Sequence, residues 1–473
     1  MTRLVWFRTD LRIHDNPALA HARRNNDEDT LAITFVVEPQ WQQHQLGERR
    51  INLMKQAIAE LHVSLSNIGI PLLTITKASF AECEEHLIKL MQEFTFSELN
   101  FNIEYEVNER LRDINVSRWC HDTDIAVNKF HDQCLIAPGE LKTLGGDPYR
   151  VYSPFRKSWL KEMQEFCPAP CAAPEKQDET SISQNTLIHW QENTNLPKWE
   201  TDDEWIADEN SGHERLREFL DKDALHYHEW RDIPDLDATS SLSFYLALGL
   251  LSPRQCIYTA WQSNACALSG GEEGINTWIN ELIWREFYRH LLVAYPNLCK
   301  HKSFKPDYDD IKWRDAPNDF QRWCDGETGY PIVDAAMKQL KERGWMHNRL
   351  RMITAMFLTK HLLIDWRWGE DYFSKHLVDA DLASNNGGWQ WSASTGADGA
   401  PYFRIFNPTT QSERFDSKGY FIVQYLPKLG GLPAKSRHNP SAAERLQCKY
   451  PAPVVEHKYG RERALETFKA CAG

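Results

Sequence analysis

Over the first 130 residues, short β-branched and aliphatic runs alternate with longer stretches in which apolar side chains recur every three or four positions. Leu4 to Phe7, Leu31 to Val37, Leu72 to Ile75 and Leu99 to Ile103 read as strands, and Arg49 to Asn67 and Phe80 to Glu93 as amphipathic helices. Asp15 with Pro17 marks a further helix start. This alternation predicts an α/β domain built on a parallel, doubly wound sheet. The chain after the first strand reads Arg8-Thr9-Asp10-Leu11-Arg12, without the glycine-rich turn that cradles a dinucleotide, so an ordinary NAD site is not expected there.

From Pro138 to Pro197 the periodicity weakens. Pro148, Pro154, Pro168, Pro170, Pro174 and Pro197 interrupt it, and Ser, Thr, Asn and Gln gather after Lys176, as in an interdomain connection. After Glu204 the period is persistently helical and predicts an all-α domain. The expected organisation is therefore an α/β domain over residues 1–130, a connection over 131–204 and a helical domain over 205–473. No internal repeat is evident.

A net charge of −13 argues against a nucleic-acid binder. However, residues 175–237 carry 18 acidic side chains against 6 basic ones, while residues 281–360 carry 14 basic against 11 acidic, so the acidity is local and a basic face elsewhere is allowed. No stretch approaches the ~20 apolar residues of a membrane span, and charges near Met1 break up any signal-peptide core. Eleven scattered cysteines without a CxxC pair suggest neither a disulfide framework nor a metal site, and a reducing cytoplasm is the expected location. The composition stands out in its 18 tryptophans.

Four segments mix chemistry-bearing residues in ways unusual for a plain core. Trp278 to His290 (WINELIWREFYRH) sets indole, carboxylate and guanidinium along one helical stripe, with Glu281 and Arg285 spaced either for chemistry or for a surface ion pair. Gly344 to Arg367 crowds Asn348, Arg349, Arg351 and Met352 at one helix start, which reads either as a solvated helix N-terminus or, because arginines there oppose the helix dipole, as a site for an anion such as a phosphate. Asp379 to Ser394 (DADLASNNGGWQWSAS) reads as a loop for a flat polar heterocycle, or as a glycine-rich turn between helices with Trp389 and Trp391 in the core. Finally, Thr239, Ser240, Ser241 and Ser243 place hydroxyls at a helix start, where they suit a phosphate cradle or simple capping.

With Trp6-Phe7-Arg8-Thr9-Asp10-Leu11-Arg12, TGYPIVDAAMKQL from Thr328 and PYFRIFNPTTQ from Pro401, these segments give a sequence that resembles the photolyase/cryptochrome family over almost its whole length. It is most similar to the bacterial members that repair cyclobutane pyrimidine dimers with FAD and a folate antenna. The resemblance implies a Rossmann-like antenna domain and a helical FAD domain. It places Thr239, Ser240, Ser241, Leu242 and Ser243 at the FAD phosphates, with Tyr227 and Arg285 nearby. Asp379, Ala380 and Asp381 would bind the ribose and ring edge, Asn385 would meet the reactive flavin nitrogen, and Trp278, Asn348 and Arg351 would complete the site. Relatives commonly carry Arg where this chain has Ser241.

For the lesion, the resemblance implies hydrogen bonds from Glu281, stacking by Trp284 and Trp391, and packing by Met352. Arg231, Asn348, Arg349, Arg404 and Gln411 would join Glu281, Trp284 and Met352 on the DNA. His44, Asn108, Glu109, Cys299 and Lys300 would hold 5,10-methenyltetrahydrofolate. Trp389, Trp366 and Trp313 would relay electrons, the last from the surface, where its radical would lose a proton to water. The expected partner is UV-damaged DNA, with the protein a monomer free of membranes and metals. A light-signalling cryptochrome is less favoured, given Glu281, Met352 and Trp391 together, and an enzyme for the other pyrimidine photoproduct, which uses histidines in the lesion pocket, is disfavoured by Met352.

Overall fold

The computed structural model describes residues 2–25, 28–165, 167–177 and 198–471. The expectations about Pro197 and the polar stretch at 178–197 lie outside the described residues. The chain forms two compact units, one comprising residues 1–149, 153–225 and 240–296, the other residues 150–152, 226–239 and 297–473. Among the described residues no helix is long and apolar enough to cross a membrane.

The first unit is built on five parallel strands, β1 (Thr2–Phe7), β2 (Asp29–Val36), β3 (Leu72–Thr76), β4 (Phe96–Asn102) and β5 (Ala126–Phe130), in the order β3-β2-β1-β4-β5. Leu4 pairs with Leu31 on one side and Leu99 on the other, and Leu4, Val5, Trp6 and Phe7 are buried, as expected of a strand covered on both faces. The four expected strands are present, each shifted by a residue or a few at its ends, and the rim strand β5 is additional. Pro17–Ala22 is a helix as anticipated, but its cap is Asn16, whose side chain accepts from Leu19 N–H, and not Asp15. Glu48–Asn67 and Phe80–Glu93 are helical. Tyr152–Glu165 is helical too, in a region read as broken by proline; Pro154 sits in its first turn, where no intrahelical N–H is required.

The strand order reverses between β1 and β4, the position where doubly wound sheets bind ligands at their carboxyl ends. Here the chain fills that position itself. Arg8 donates to Asn102 O and approaches Asp113 at 3.4 Å, Thr9 donates to Glu104 at 2.6 Å, and Asn102 donates to Asp10 at 2.6 Å. This accounts for the missing dinucleotide fingerprint.

The helices of this unit include α1 (Glu209–Lys222) and the 22-residue α2 (Glu273–Ala294). In the second unit α3 (Asn348–Met356), α4 (Trp366–His376) and α5 (Leu382–Ala393) surround a core containing Trp323, Met337, Leu350, Phe357, Trp366, Trp389 and Phe421. The stretch 382–393, read as a loop, is thus a helix. It is held from outside: Asn386 donates to Glu370 and Phe304 N–H to Gln390, at 2.8 Å each, while within the helix Gln390 donates to Asn386 at 3.0 Å.

Candidate functional site

Helix α3 starts at the His347 cap, which accepts Arg349 N–H at 3.2 Å. The anions wanted by its two arginines are carboxylates of the same chain. Arg349 forms a two-pronged pair with Asp232, at 3.1 and 2.6 Å, and its guanidinium lies 4.5 Å over the Phe415 ring. Arg351 donates to Asp379 at 2.7 Å and to Met346 O at 2.8 Å. Arginines awaiting an external phosphate are therefore not what the free protein presents. Asn348 is exposed and Met352, one turn on, half-buried.

Asp379 is nearly fully buried; one carboxylate oxygen is taken by Arg351, and the other, Oδ1, is buried with no hydrogen-bond partner. A buried charge-bearing oxygen without a donor is costly, which marks the place of a ligand N–H or O–H. Asn385 on α5 is oriented by its amide, which donates to Glu370 O at 3.0 Å and Ser374 Oγ at 2.9 Å. Its Oδ1 is left free to accept among the described residues. A methyl added at Gly388, also on α5, would meet no atom within 4 Å, so bare backbone faces open space there. Ala380 is buried, and Asp381 caps α5 and accepts from Ser384 Oγ. An uncommitted amide oxygen, an orphaned carboxylate oxygen and bare backbone fit a flat heterocycle with N–H edges.

Tyr227 in this unit is buried beneath the Arg231 guanidinium, 5.5 Å from its ring centroid. Thr239 belongs to this unit, and Ser240, Ser241, Leu242 and Ser243 to the other. The helix Ser243–Leu248 has Leu242 at its N-cap, which makes no side-chain capping hydrogen bond. Ser241 has φ +51°, and Arg215 donates to Ser240 O at 2.9 Å.

On α2, Trp278 is buried against Phe219, with centroids 5.1 Å apart. Glu281 and Trp284 are half-buried, and Trp284 rests on Phe287 and Tyr288 at 5.7 and 5.6 Å. Arg285 donates to Gln133 O at 2.7 Å and to Leu246 O at 3.4 Å, tying α2 to its own unit. Trp391 is half-buried, Arg404 exposed, and Gln411 half-buried with an unpartnered, buried Oε1.

Trp366 and Trp389 are buried in one cluster, with Trp313 packed against it. Trp389 meets Phe373 edge-on at 4.9 Å and Trp323 at 6.1 Å. The indole nitrogens of Trp313, Trp366 and Trp389 are all buried without an acceptor. This corrects one expectation: the Trp313 ring is half-buried and its N–H does not meet water, because the ring turns inward onto Phe468, 5.9 Å away. Of its charged neighbours, Lys312 is exposed, whereas Arg314 is bound to Leu362 O and Asp319, at 2.8 Å each.

In the first unit three distant positions come together. His44 Nδ1 lies 3.4 Å from Glu109, Asn108 Nδ2 lies 3.1 Å from His44 Nε2, and the His44 ring meets Phe80 edge-on at 5.5 Å. Glu109 therefore does more than decorate a helix start. The sequence does not single out Phe80 and Glu370, which are tertiary partners remote in sequence, nor Gln40, Asn386 and Gln390, whose contacts with His44 and with each other are four residues apart on a helix. Cys299 and Lys300 lie on the short turn Pro296–Lys300 and belong to the second unit.

Two family models match the chain, one described as DNA photolyase over residues 3–175 and one as the FAD binding domain of DNA photolyase over residues 278–470. The chain belongs to the DNA photolyase family. It is 45% identical to the deoxyribodipyrimidine photo-lyase of Escherichia coli over 99% of this chain and 98% of that one. The Salmonella typhimurium protein of the same name is equally similar over the same shares. Among solved structures, a class III photolyase from Agrobacterium tumefaciens superposes with TM-score 0.85 at 34% identity, covering 100% of this chain and 98% of that one.

Proposed function

We propose that the protein is a light-dependent repair enzyme that splits cyclobutane pyrimidine dimers in UV-damaged DNA, using FAD held by its helical half. The structural observation that carries this reading is the pair of oxygen atoms left open in the second unit, Asp379 Oδ1 and Asn385 Oδ1. FAD held in its reduced form by these residues would supply light-driven one-electron chemistry to the dimer. The protein's task is to bind, orient and shield. Asp379, fixed by Arg351, accepts hydrogen bonds from the cofactor together with Ala380 and Asp381, and Asn385 offers its oxygen to the flavin edge. Tyr227, Thr239, Ser240, Ser241, Leu242, Ser243, Trp278, Arg285 and Asn348 complete the binding set, with Ser241 contributing a hydroxyl in place of the usual guanidinium.

A dimer must leave the helix to meet a buried cofactor, and its weakened pairing lowers that cost. Glu281 then hydrogen-bonds the pyrimidines, Trp284 and Trp391 stack on them, and Met352 packs below. Arg231, Arg349, Arg404 and Gln411 bind flanking phosphates and sugars, Arg349 by exchanging Asp232 for phosphate. His44, Asn108, Glu109, Cys299 and Lys300 hold a folate antenna, 5,10-methenyltetrahydrofolate, and Trp389, Trp366 and Trp313 carry electrons to oxidised FAD. The antenna half lies within residues 1–130 and the cofactor half within 205–473, and the enzyme works as a cytoplasmic monomer.

The test is to illuminate reduced, FAD-loaded protein with blue light in the presence of an oligonucleotide carrying one thymine dimer. Recovery of the intact pyrimidines in light and not in darkness is expected. Bound, reduced FAD without any light-dependent recovery would overturn the reading.

A further inference from the structure

Apart from the flavin and folate residues, the first unit brings together His14, Glu209 and His213. His14 lies just beyond β1, while Glu209 and His213 sit four apart on α1 and so share one of its faces. His14 Nδ1 is 2.8 Å and His213 Nε2 3.7 Å from Glu209 Oε1, and all the potential ligand atoms lie within 4.8 Å of one another. Ligands about 2.0–2.1 Å from a tetrahedral ion are roughly 3.3–3.4 Å apart, a spacing that these two distances bracket.

We propose that His14, Glu209 and His213 form a binding site for a zinc-class divalent cation, with water as the fourth ligand. Gln255 sets the orientation of one ligand. Its Oε1 accepts Ser252 N–H at 2.8 Å in a helix cap, so it is the amide NH2 that faces His213 Nε2 at 3.3 Å. That ring nitrogen is therefore an unprotonated acceptor, and a cation binding it takes the place of the Gln255 N–H on its lone pair. Glu209 is anchored by two backbone donors of the loop after β1. Its Oε2 accepts Ile13 N–H and its Oε1 accepts His14 N–H, each at 3.0 Å, which fixes the carboxylate while leaving further lone pairs. The side chains of His14 and His213 are 50% and 28% exposed, so an ion and its water have access. On binding, the cation replaces the proton between His14 Nδ1 and Glu209, and that proton leaves to solvent.

A second cluster of ligand-type residues among the described residues, Cys134, Glu286 and His290, lacks these features. It is fully buried, and Glu286 already accepts Leu135 N–H, Ile136 N–H and the Trp159 indole N–H. A cation at His14 would staple the loop after β1 to α1, 195 positions away in sequence. No local motif could have announced it.

The experiment uses tag-free full-length protein stripped with chelator. Titration with cobalt(II) should produce the intense visible bands of a four-coordinate ion at one equivalent, and zinc(II) should bleach them. Saturating zinc should raise the unfolding temperature by several °C. His14→Ala and His213→Ala should each weaken binding at least tenfold and abolish the thermal shift, whereas His121→Ala, at an exposed histidine elsewhere, should bind like the parent. Dimer repair by the stripped protein should be unchanged, so this test stands apart from that of the proposed function. Cobalt spectra of an octahedral ion, or both variants binding like the parent, would mean an adventitious ion only and overturn the site.

Discussion

A single methyl group at Gly369 tests how tightly the core around Trp389 is set. Built on the existing backbone, the Cβ of Gly369→Ala would lie 2.0, 2.4 and 2.6 Å from Cη2, Cζ3 and Cζ2 of the Trp389 ring. Carbon atoms in contact settle at about 3.5–4.0 Å, so the ring must retreat by roughly 1.5 Å. It has little room, being 2% exposed and flanked by Phe373 and Trp323. Alanine in place of glycine inside α4 gains about 1 kcal/mol in helix propensity, whereas overpacking a filled core costs about 1–3 kcal/mol. With so deep an overlap the second effect should win, leaving the variant about 1–2 kcal/mol less stable. Urea unfolding followed by far-UV circular dichroism measures this, and near-UV dichroism reports the displaced indole. Gly388→Ala is the internal control. It lies inside α5 with nothing within 4 Å, so it should stabilise the cofactor-free protein by about 0.5–1 kcal/mol. If Gly369→Ala proves as stable as the parent, the ring is not pinned and the packing argument fails. If it is destabilised yet photoreduces oxidised FAD at the parent rate, Trp389 is not the first relay residue.

Trp313→Phe should abolish stable photoreduction of oxidised flavin while leaving dimer repair by chemically reduced enzyme intact; loss of that repair would assign Trp313 a structural role. Asp232→Asn frees Arg349 from its competing carboxylate, so DNA affinity should rise with little change in the slope of log affinity against log salt, whereas Arg349→Ala should make that slope shallower by about 0.9. Burial pushes His290 and His347 down to about 4. Between their ordinary value near 6.5 and about 4, the unfolded chain binds protons that the folded one refuses. Stability should therefore fall as pH drops through that window, by at most roughly 3 kcal/mol per histidine. Urea midpoints at pH 7 and 4.5 measure the loss, and His290→Gln should flatten it. Glu109→Ala should reduce loading of methenyltetrahydrofolate, read from its near-UV absorbance, without reducing FAD content.

The sheet was legible because its strands are buried on both faces and so spell continuous apolar runs. The exception, β5, pairs only with β4 at the rim, and its residues Ala126 to Phe130 are half-buried or exposed, leaving no such run. Helix α5 was unreadable for a different reason: Asn385, Asn386, Gly387 and Gly388 all disfavour helix locally, and what holds the segment is hydrogen bonding to Glu370 and Phe304, remote in sequence. The electrostatic argument at α3 correctly demanded anions but could not name them. Asp232 and Asp379 stand 117 and 28 positions from the arginines they neutralise, and nothing in the local pattern connects them. The grouping of His44 with Glu109 was foreseen only through resemblance, since spacing alone pairs no residues 65 apart.

The buried indole nitrogens of Trp313, Trp366 and Trp389 also make spectroscopic reporters. A ring hydrogen that neither meets water nor engages an acceptor exchanges with deuterium only when the packing around it opens. Trp323, whose N–H is bound to Thr354 O at 3.2 Å, supplies a hydrogen-bonded reference in the same core. In a nitrogen-15 spectrum the three unbonded ring signals should lie upfield of the Trp323 signal, and their decay in deuterium oxide would time the local breathing of the second unit at three points, without any label being introduced into its packing.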